Sequence, residues 1–363
     1  MIDQSILDEL YEEIEKKEKW FIPEGMLDEN QRYILNFKGG KLIAEGSAGS
    51  GKTLIALHRL HRIMEENKET VLFVVFTRTL KEYIESGINQ LLKSNLDKID
   101  ILYAYELNNE RIEDKINSTL YDYVIVDEVQ DITSEVLSYL VGLSKKDIIL
   151  FGDDAQQIYY RFNKGISIDE IKKHVFKSEH VEHIKLKYNY RVPKEVMKFS
   201  EMIIGDDREL LSKAKNDIGT ISINLLSDKE EEIRYIYSTI IKNNLKDVAI
   251  LYPQNEDVDI ASEIFKDIDK NFFIETKSGK RTDNLDFETD LPKIMTFHSS
   301  KGLEFEDVFI PSCNQIKDFI PEQFRRAFYV ATTRTNRNLY LSYYEDTEND
   351  AMKEIKKYKK RYV

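Results

Sequence analysis

Along most of the chain, short apolar runs alternate with longer stretches whose apolar residues recur at helical spacing. The runs at 41–45, 71–76, 99–104, 122–126 and 147–151 are predicted strands, Val71-Leu72-Phe73-Val74-Val75-Phe76 being the plainest. Strands that alternate with helices imply a parallel sheet covered on both faces. A second series follows at 219–225, 247–252, 293–297, 307–311 and 338–343, again with helices between. The pattern predicts an α/β fold of two parallel-sheet domains in tandem, 1–183 and 184–363, divided near 183–190. Residues 1–20 read as an acidic amphipathic helix carrying Ile6, Leu7, Leu10, Tyr11 and Ile14 and ending near Trp20, a packing or partner-docking element. The run from Lys353 to Tyr362 is a basic helix with interleaved tyrosines, read first as a solvated face and second as a nucleic-acid contact.

One junction between strand and helix carries chemistry. Leu42-Ile43-Ala44 leads into Gly46-Ser47-Ala48-Gly49-Ser50-Gly51-Lys52-Thr53, which fits G-x-x-x-x-G-K-[ST] and continues as the helical stretch Thr53 to Leu60. A strand that breaks into a glycine-rich loop and then a helix aims backbone N–H groups and a helix dipole into one concavity, which suits a polyphosphate. Lys52 would reach the β- and γ-phosphates of ATP, and the Thr53 hydroxyl would hold Mg2+.

The second half of such a site needs carboxylates. The strand 122–126 runs into Asp127-Glu128-Val129-Gln130-Asp131, placing acids at the carboxyl end of a strand expected beside the P-loop strand. Asp127 is the candidate metal-side group. Glu128 is the candidate base for the attacking water, since one carboxylate cannot easily neutralise the cation and also accept a proton.

Composition narrows the rest. The chain has 363 residues, 41% hydrophobic and 33% charged, enough for two domains with separate cores. The single Cys313 excludes an internal disulfide and a cysteine-based metal cage, and with the acidic start Met1-Ile2-Asp3-Gln4 it leads to a cytoplasmic expectation, without a membrane span. A net charge of −13 speaks against a protein coated in nucleic acid, though it leaves room for a local basic channel.

With these residues in place, the chain resembles the UvrD/Rep family of superfamily-one helicases. Asp-Glu-Val-Gln-Asp is similar to the family's motif II, and the other motifs appear in order. Leu27-Asp28-Glu29-Asn30-Gln31 resembles the Q motif, making Gln31 the adenine reader. Phe76-Thr77-Arg78-Thr79-Leu80 resembles motif Ia. Phe151-Gly152-Asp153-Asp154-Ala155-Gln156-Gln157-Ile158-Tyr159 resembles motif III, with Gln156 as γ-phosphate sensor. Asn189-Tyr190-Arg191 resembles motif IV, where Tyr190 stacks on adenine and Arg191 meets the γ-phosphate. The stretch Thr296 to Phe305 resembles motif V, with Glu304 on the ribose. Arg325 to Arg334 resembles motif VI, with Arg334 as a second arginine. The resemblance implies two RecA-like P-loop domains, ATP held in the cleft between them, and closure that brings Arg191 and Arg334 to the charge building on the γ-phosphoryl group.

It also implies a single-stranded nucleic-acid track. Phe76 and Thr77 in motif Ia and Tyr159, Tyr160, Arg161 and Phe162 after motif III are the candidate contacts on the first domain. Arg161 falls where the family usually carries a stacking tryptophan. His298 and Lys301 are candidates for a backbone grip or a coupling role on the second domain. The subdomains that UvrD and Rep insert are reduced to about 82–120 and about 254–291. The expected function is ATP-driven translocation or unwinding of single-stranded DNA in the 3′→5′ direction, with RNA left open. The alternative is a helicase-like ATPase subunit of a larger complex, such as the partner of a nuclease in Gabija-type phage defence. An unrelated P-loop kinase is the third class, and it would have no use for Arg191 or Arg334.

Overall fold

The computed structural model describes residue 20 and residues 22–66, 69–92, 95–104, 107, 119–159, 165–177, 180–205, 209–279, 284–320 and 322–362. The expected helix of residues 1–20 lies outside the described residues except for Trp20, as do Tyr160, Arg161 and Phe162. The chain divides into two compact units. The first takes Met1–Gly46, Gly51–Gly152 and Gly165–Leu186; the second takes Ser47–Ser50, Asp153–Lys164 and Lys187–Val363.

Six parallel strands make the sheet of the first unit: β1 (Lys41–Gly46), β2 (Val71–Val75), β3 (Ile99–Tyr103), β4 (Tyr121–Val126), β5 (Ser144–Gly152) and β6 (Glu182–Leu186), in the order β3-β2-β4-β5-β1-β6. Every residue of β2 is buried, as its unbroken apolar run requires. The expectation that the acidic strand lies beside the P-loop strand is corrected: β5 separates β4 from β1. The Thr53 hydroxyl nevertheless meets Asp127 at the end of β4.

Helix Arg78–Leu91 is started by the Thr77 side chain, which accepts from the Leu80 N–H. It buries Leu80, Tyr83, Ile84 and Ile88. Gly87 on the same helix leaves a notch for Trp20: a Cβ there would lie 2.6 Å from the indole, which also packs on Tyr83 at 4.3 Å between ring centroids. A buried ion pair fastens the entry to β1. Arg59 donates to the carbonyls of Leu35 (3.0 Å) and Phe37 (2.7 Å) and lies 3.4 Å from Asp147, whose other oxygen accepts from the Gly39 and Gly40 N–H groups. Arg59→Met removes one partner and leaves two carbonyls and a carboxylate in the interior. It is expected to cost roughly 3–5 kcal/mol in urea-monitored unfolding.

The second unit holds β7 (Asn189–Pro193), β8 (Ala214–Asn216), β9 (Thr220–Leu225), β10 (Val248–Tyr252), β11 (Glu275–Lys277), β12 (Lys293–Thr296), β13 (Phe305–Ile310) and β14 (Thr335–Tyr343). Six of them form a parallel sheet in the order β11-β12-β10-β13-β14-β9, while β7 and β8 pair separately. Its core joins Ile233, Ile236, Ile250, Tyr252, Phe265, Ile294 and Phe309. The stretch 254–291 is not an appended insertion where it is described. Helix Asn255–Ile268 buries Val258, Ala261 and Phe265, and β11 pairs with β12, so this segment completes the sheet. Helix Asp350–Tyr362 buries Ala351, Met352, Ile355 and Tyr358 and turns Lys353, Lys357, Lys360 and Arg361 outward, the solvated face that its charge pattern predicts.

Candidate nucleotide site

In the first unit, the P-loop lysine and the acidic pair come together. Gly46 ends β1 and Lys52 begins helix Lys52–Glu66. The Lys52 ammonium is buried and donates to the Gly46 carbonyl at 2.7 Å, folded over the loop that it would serve. Gly51, at φ 86°, takes the left-handed turn into the helix, and a Cβ there would lie 3.1 Å from the Gln31 amide nitrogen. Gln31 is itself buried and fixed by a reciprocal capping pair: its N–H donates to the Asp28 carboxylate, and its side-chain oxygen accepts from the Asp28 N–H. The expected adenine reader is thus preset against the P-loop.

Thr53 donates its hydroxyl proton to Asp127 at 2.6 Å. Asp127 is fully buried, and burial first and the neighbouring Glu128 charge second raise its carboxyl well above the ordinary range, against the smaller pull of Thr53 and Lys52. Glu128 is the distinctive member. It is buried, and its backbone sits at φ 56°, a left-handed conformation that costs a non-glycine residue about 1 kcal/mol or more. The turn aims its carboxylate differently from Asp127, whose other oxygen accepts the Glu128 N–H at 2.9 Å. Gln130, fully buried, donates its amide to the Glu128 carboxylate. Gly152 makes room for this, since a Cβ there would lie 2.9 Å from the Gln130 carboxamide oxygen. Sequence reasoning passed over Gln130; its polar type between Val129 and Asp131 was the available signal.

Magnesium fits this donor set. The Thr53 hydroxyl and the Asp127 carboxylate offer the one or two protein oxygens that such an ion takes beside phosphate oxygens and water. A divalent cation beside Asp127 and Thr53 would counter both the burial that chiefly raises the Asp127 carboxyl and the Glu128 charge that adds to it.

In the second unit, the residues of motifs III, V and VI form one network. The Gln156 amide donates to Asp153 at 2.8 Å, and its carbonyl oxygen accepts from the Arg334 guanidinium at 3.0 Å. Arg334, 1% exposed, also donates to the carbonyls of Val330 (2.9 Å) and Leu303 (3.1 Å). The buried Lys301 ammonium donates to the Gln156 backbone carbonyl. Arg191 lies 3.3 Å from Glu304 and donates to the Thr333 carbonyl at 3.0 Å. Tyr190 keeps its ring 41% exposed. The P-loop residues Ser47, Ala48, Gly49 and Ser50 group with this unit. Within it, Gly49, at φ 74°, has its Cβ position 2.0 Å from the Asn189 side-chain oxygen, and its carbonyl accepts from the Tyr190 N–H.

The expected nucleic-acid contacts divide. Tyr159 donates to the His298 carbonyl at 2.8 Å and meets the imidazole edge-on at 5.3 Å between centroids. Burial, and secondarily Lys301, lower the His298 pKa, which favours the uncharged ring. Lys301 is completely buried, with its ammonium on the Gln156 backbone carbonyl. Phe76 is only 5% exposed, and the half-buried Thr77 side chain accepts from the Leu80 N–H as a helix cap. Tyr160, Arg161 and Phe162 lie outside the described residues.

Comparison with known proteins agrees with both halves. Residues 31–162 match an AAA domain, and residues 276–346 match the UvrD-like helicase C-terminal domain. A probable DNA helicase II homolog of Mycoplasma genitalium is 26% identical over 274 residues, spanning 68% of this chain and 38% of that protein. A putative ATP-dependent DNA helicase of Acanthamoeba polyphaga mimivirus is 24% identical over 383 residues, spanning 87% of this chain and 53% of its own length. The RecB subunit of the RecBCD enzyme of Chlamydia muridarum is 38% identical over 71 residues, 18% of this chain and 7% of that subunit. The chain thus spans about half or less of the length of these curated relatives.

Proposed function

Because the chain is a UvrD/Rep-like superfamily 1 helicase by family, we propose that it hydrolyses ATP with Mg2+ and uses the cycle to move along single-stranded DNA in the 3′→5′ direction. The observation that carries this reading is the trio in which half-buried Thr53 reaches the buried Asp127 while Glu128, also buried, stands beside it in a left-handed turn. Such a trio separates the two tasks of holding a cation and accepting a proton from water. In this reading Lys52 and Thr53 hold the phosphates and the ion, Glu128 activates water, and Gln31 and Tyr190 hold the adenine. Arg191 and Arg334 stabilise the charge that develops on the γ-phosphoryl oxygens. Gln156, hydrogen-bonded to Arg334 and to Lys301, reports the phosphate state to the track residues around His298.

Steady-state ATP turnover with no nucleic acid, single-stranded DNA, single-stranded RNA and duplex DNA tests this. Single-stranded DNA is expected to raise the rate most. A second reading, the ATPase subunit of a larger assembly such as one with a nuclease, is favoured by one observation: the match over 71 residues is to a protein named as an enzyme subunit. A rate indifferent to every nucleic acid, and raised only by a protein partner, would select that reading instead.

A further inference from the structure

We propose that Tyr188 and Lys215 fix the ring of Tyr190, which makes Tyr188 a positioning residue for a flat base, the adenine of ATP. The inference rests on the reading of Tyr190 as the ring that stacks on that base. The parallel pair β7 and β8 sets Asn189 opposite Ala214 and Pro193 opposite Asn216, so Tyr188, the residue that leads into β7, comes beside Lys215 of β8. The backbone beneath them is pinned by side chains. Asn189 accepts from the N–H groups of Arg191 (3.0 Å) and Val192 (2.9 Å), and Asn216 donates to the carbonyls of Arg191 (2.6 Å) and Asn336 (2.8 Å).

On this rigid base the two rings remain outward, Tyr188 37% and Tyr190 41% exposed. They meet edge to face, 6.1 Å between centroids at 69°, and the Lys215 ammonium lies 4.3 Å from the Tyr188 ring centre. An outward tyrosine ordinarily samples several side-chain wells. A cation over one ring and an edge-to-face contact to the next narrow that sampling in series. A ring already held in place gives up less freedom when a base stacks on it, so the benefit falls on nucleotide binding and not on the chemical step.

Steady-state kinetics of the full chain separates the outcomes. Tyr188→Leu is expected to raise the KM for ATP by about 3–10-fold with kcat unchanged, Lys215→Gln to move KM the same way by less, and Tyr188→Phe, which keeps the ring edge, to restore it. Inhibition by inorganic tripolyphosphate, which has no base, should be the same in all variants; a parallel loss there would mean general distortion and overturn the proposal. Tyr190→Ala is measured alongside. If it raises KM while Tyr188→Leu and Lys215→Gln do not, the positioning role is refuted and the stacking reading stands. If Tyr190→Ala leaves KM unchanged, the stacking reading itself fails and takes the proposal with it. Should Tyr188→Leu melt at a lowered temperature, the exposed Lys215→Gln decides alone.

Discussion

Arg334→Ala is expected to lower ATP turnover by about 10³–10⁵-fold while affinity for a non-hydrolysable ATP analogue changes little. The size of the effect follows from the preset geometry of the guanidinium. It is fixed in charge and planar, and it is oriented by two backbone carbonyls and by the Gln156 side chain. A group so preorganised loses nothing to reorganisation when negative charge spreads over the γ-phosphoryl oxygens. A purely architectural Arg334 predicts otherwise. Its loss would take the guanidinium from the Leu303 carbonyl and the Gln156 side-chain oxygen, lower the melting temperature, and weaken analogue binding together with turnover. Arg334→Lys sharpens the contrast, because it retains the charge but cannot serve all three acceptors in the same fork geometry. Turnover near the wild-type rate in a folded Arg334→Ala protein would remove the arginine from the mechanism.

Glu128→Gln is expected to preserve nucleotide binding and to reduce turnover by about 10²–10⁴-fold. The substitution is close to isosteric, so the left-handed turn at residue 128 and the contact from Gln130 have no steric reason to change. The charge does change. Glu128 helps to raise the Asp127 carboxyl, so its neutralisation should let Asp127 ionise at lower pH. In the wild-type protein, magnesium-dependent nucleotide binding should weaken as pH falls and Asp127 takes up its proton. In Glu128→Gln the same loss should appear at lower pH. Calorimetric titrations of ATP across acidic pH would read the displacement, and a displacement toward higher pH would contradict the assignment of the pair. Normal hydrolysis by Glu128→Gln would place the base elsewhere.

Much of this arrangement was legible in the sequence, and particular residues show where legibility stopped. β2 and β4 were plain because strands buried on both faces demand uninterrupted apolar runs. β6, with Glu182, His183 and Lys185 among its five residues, escaped because it forms one edge of the sheet and is only partly covered. β7 was hidden for another reason: Asn189, Tyr190 and Arg191 read as motif chemistry, and their strand geometry depends on pairing with the distant β8. Strand order is long-range information, so the placement of β5 between β1 and β4 could not be taken from local pattern. The site residues themselves were readable because phosphate chemistry restricts residue type. The left-handed turn at Glu128, the burial of Lys301 and the brace supplied by Gln130 arise from tertiary packing, which no spacing rule encodes.

The notch at Gly87 has a spectroscopic consequence. Trp20 is the sole tryptophan in the chain, and it rests there against Tyr83 in the first unit. Its emission therefore reports the integrity of that unit alone, whereas the second unit is silent in the same channel. Red-edge fluorescence set against far-ultraviolet dichroism would thus resolve whether the two units melt together or in turn, with no label attached.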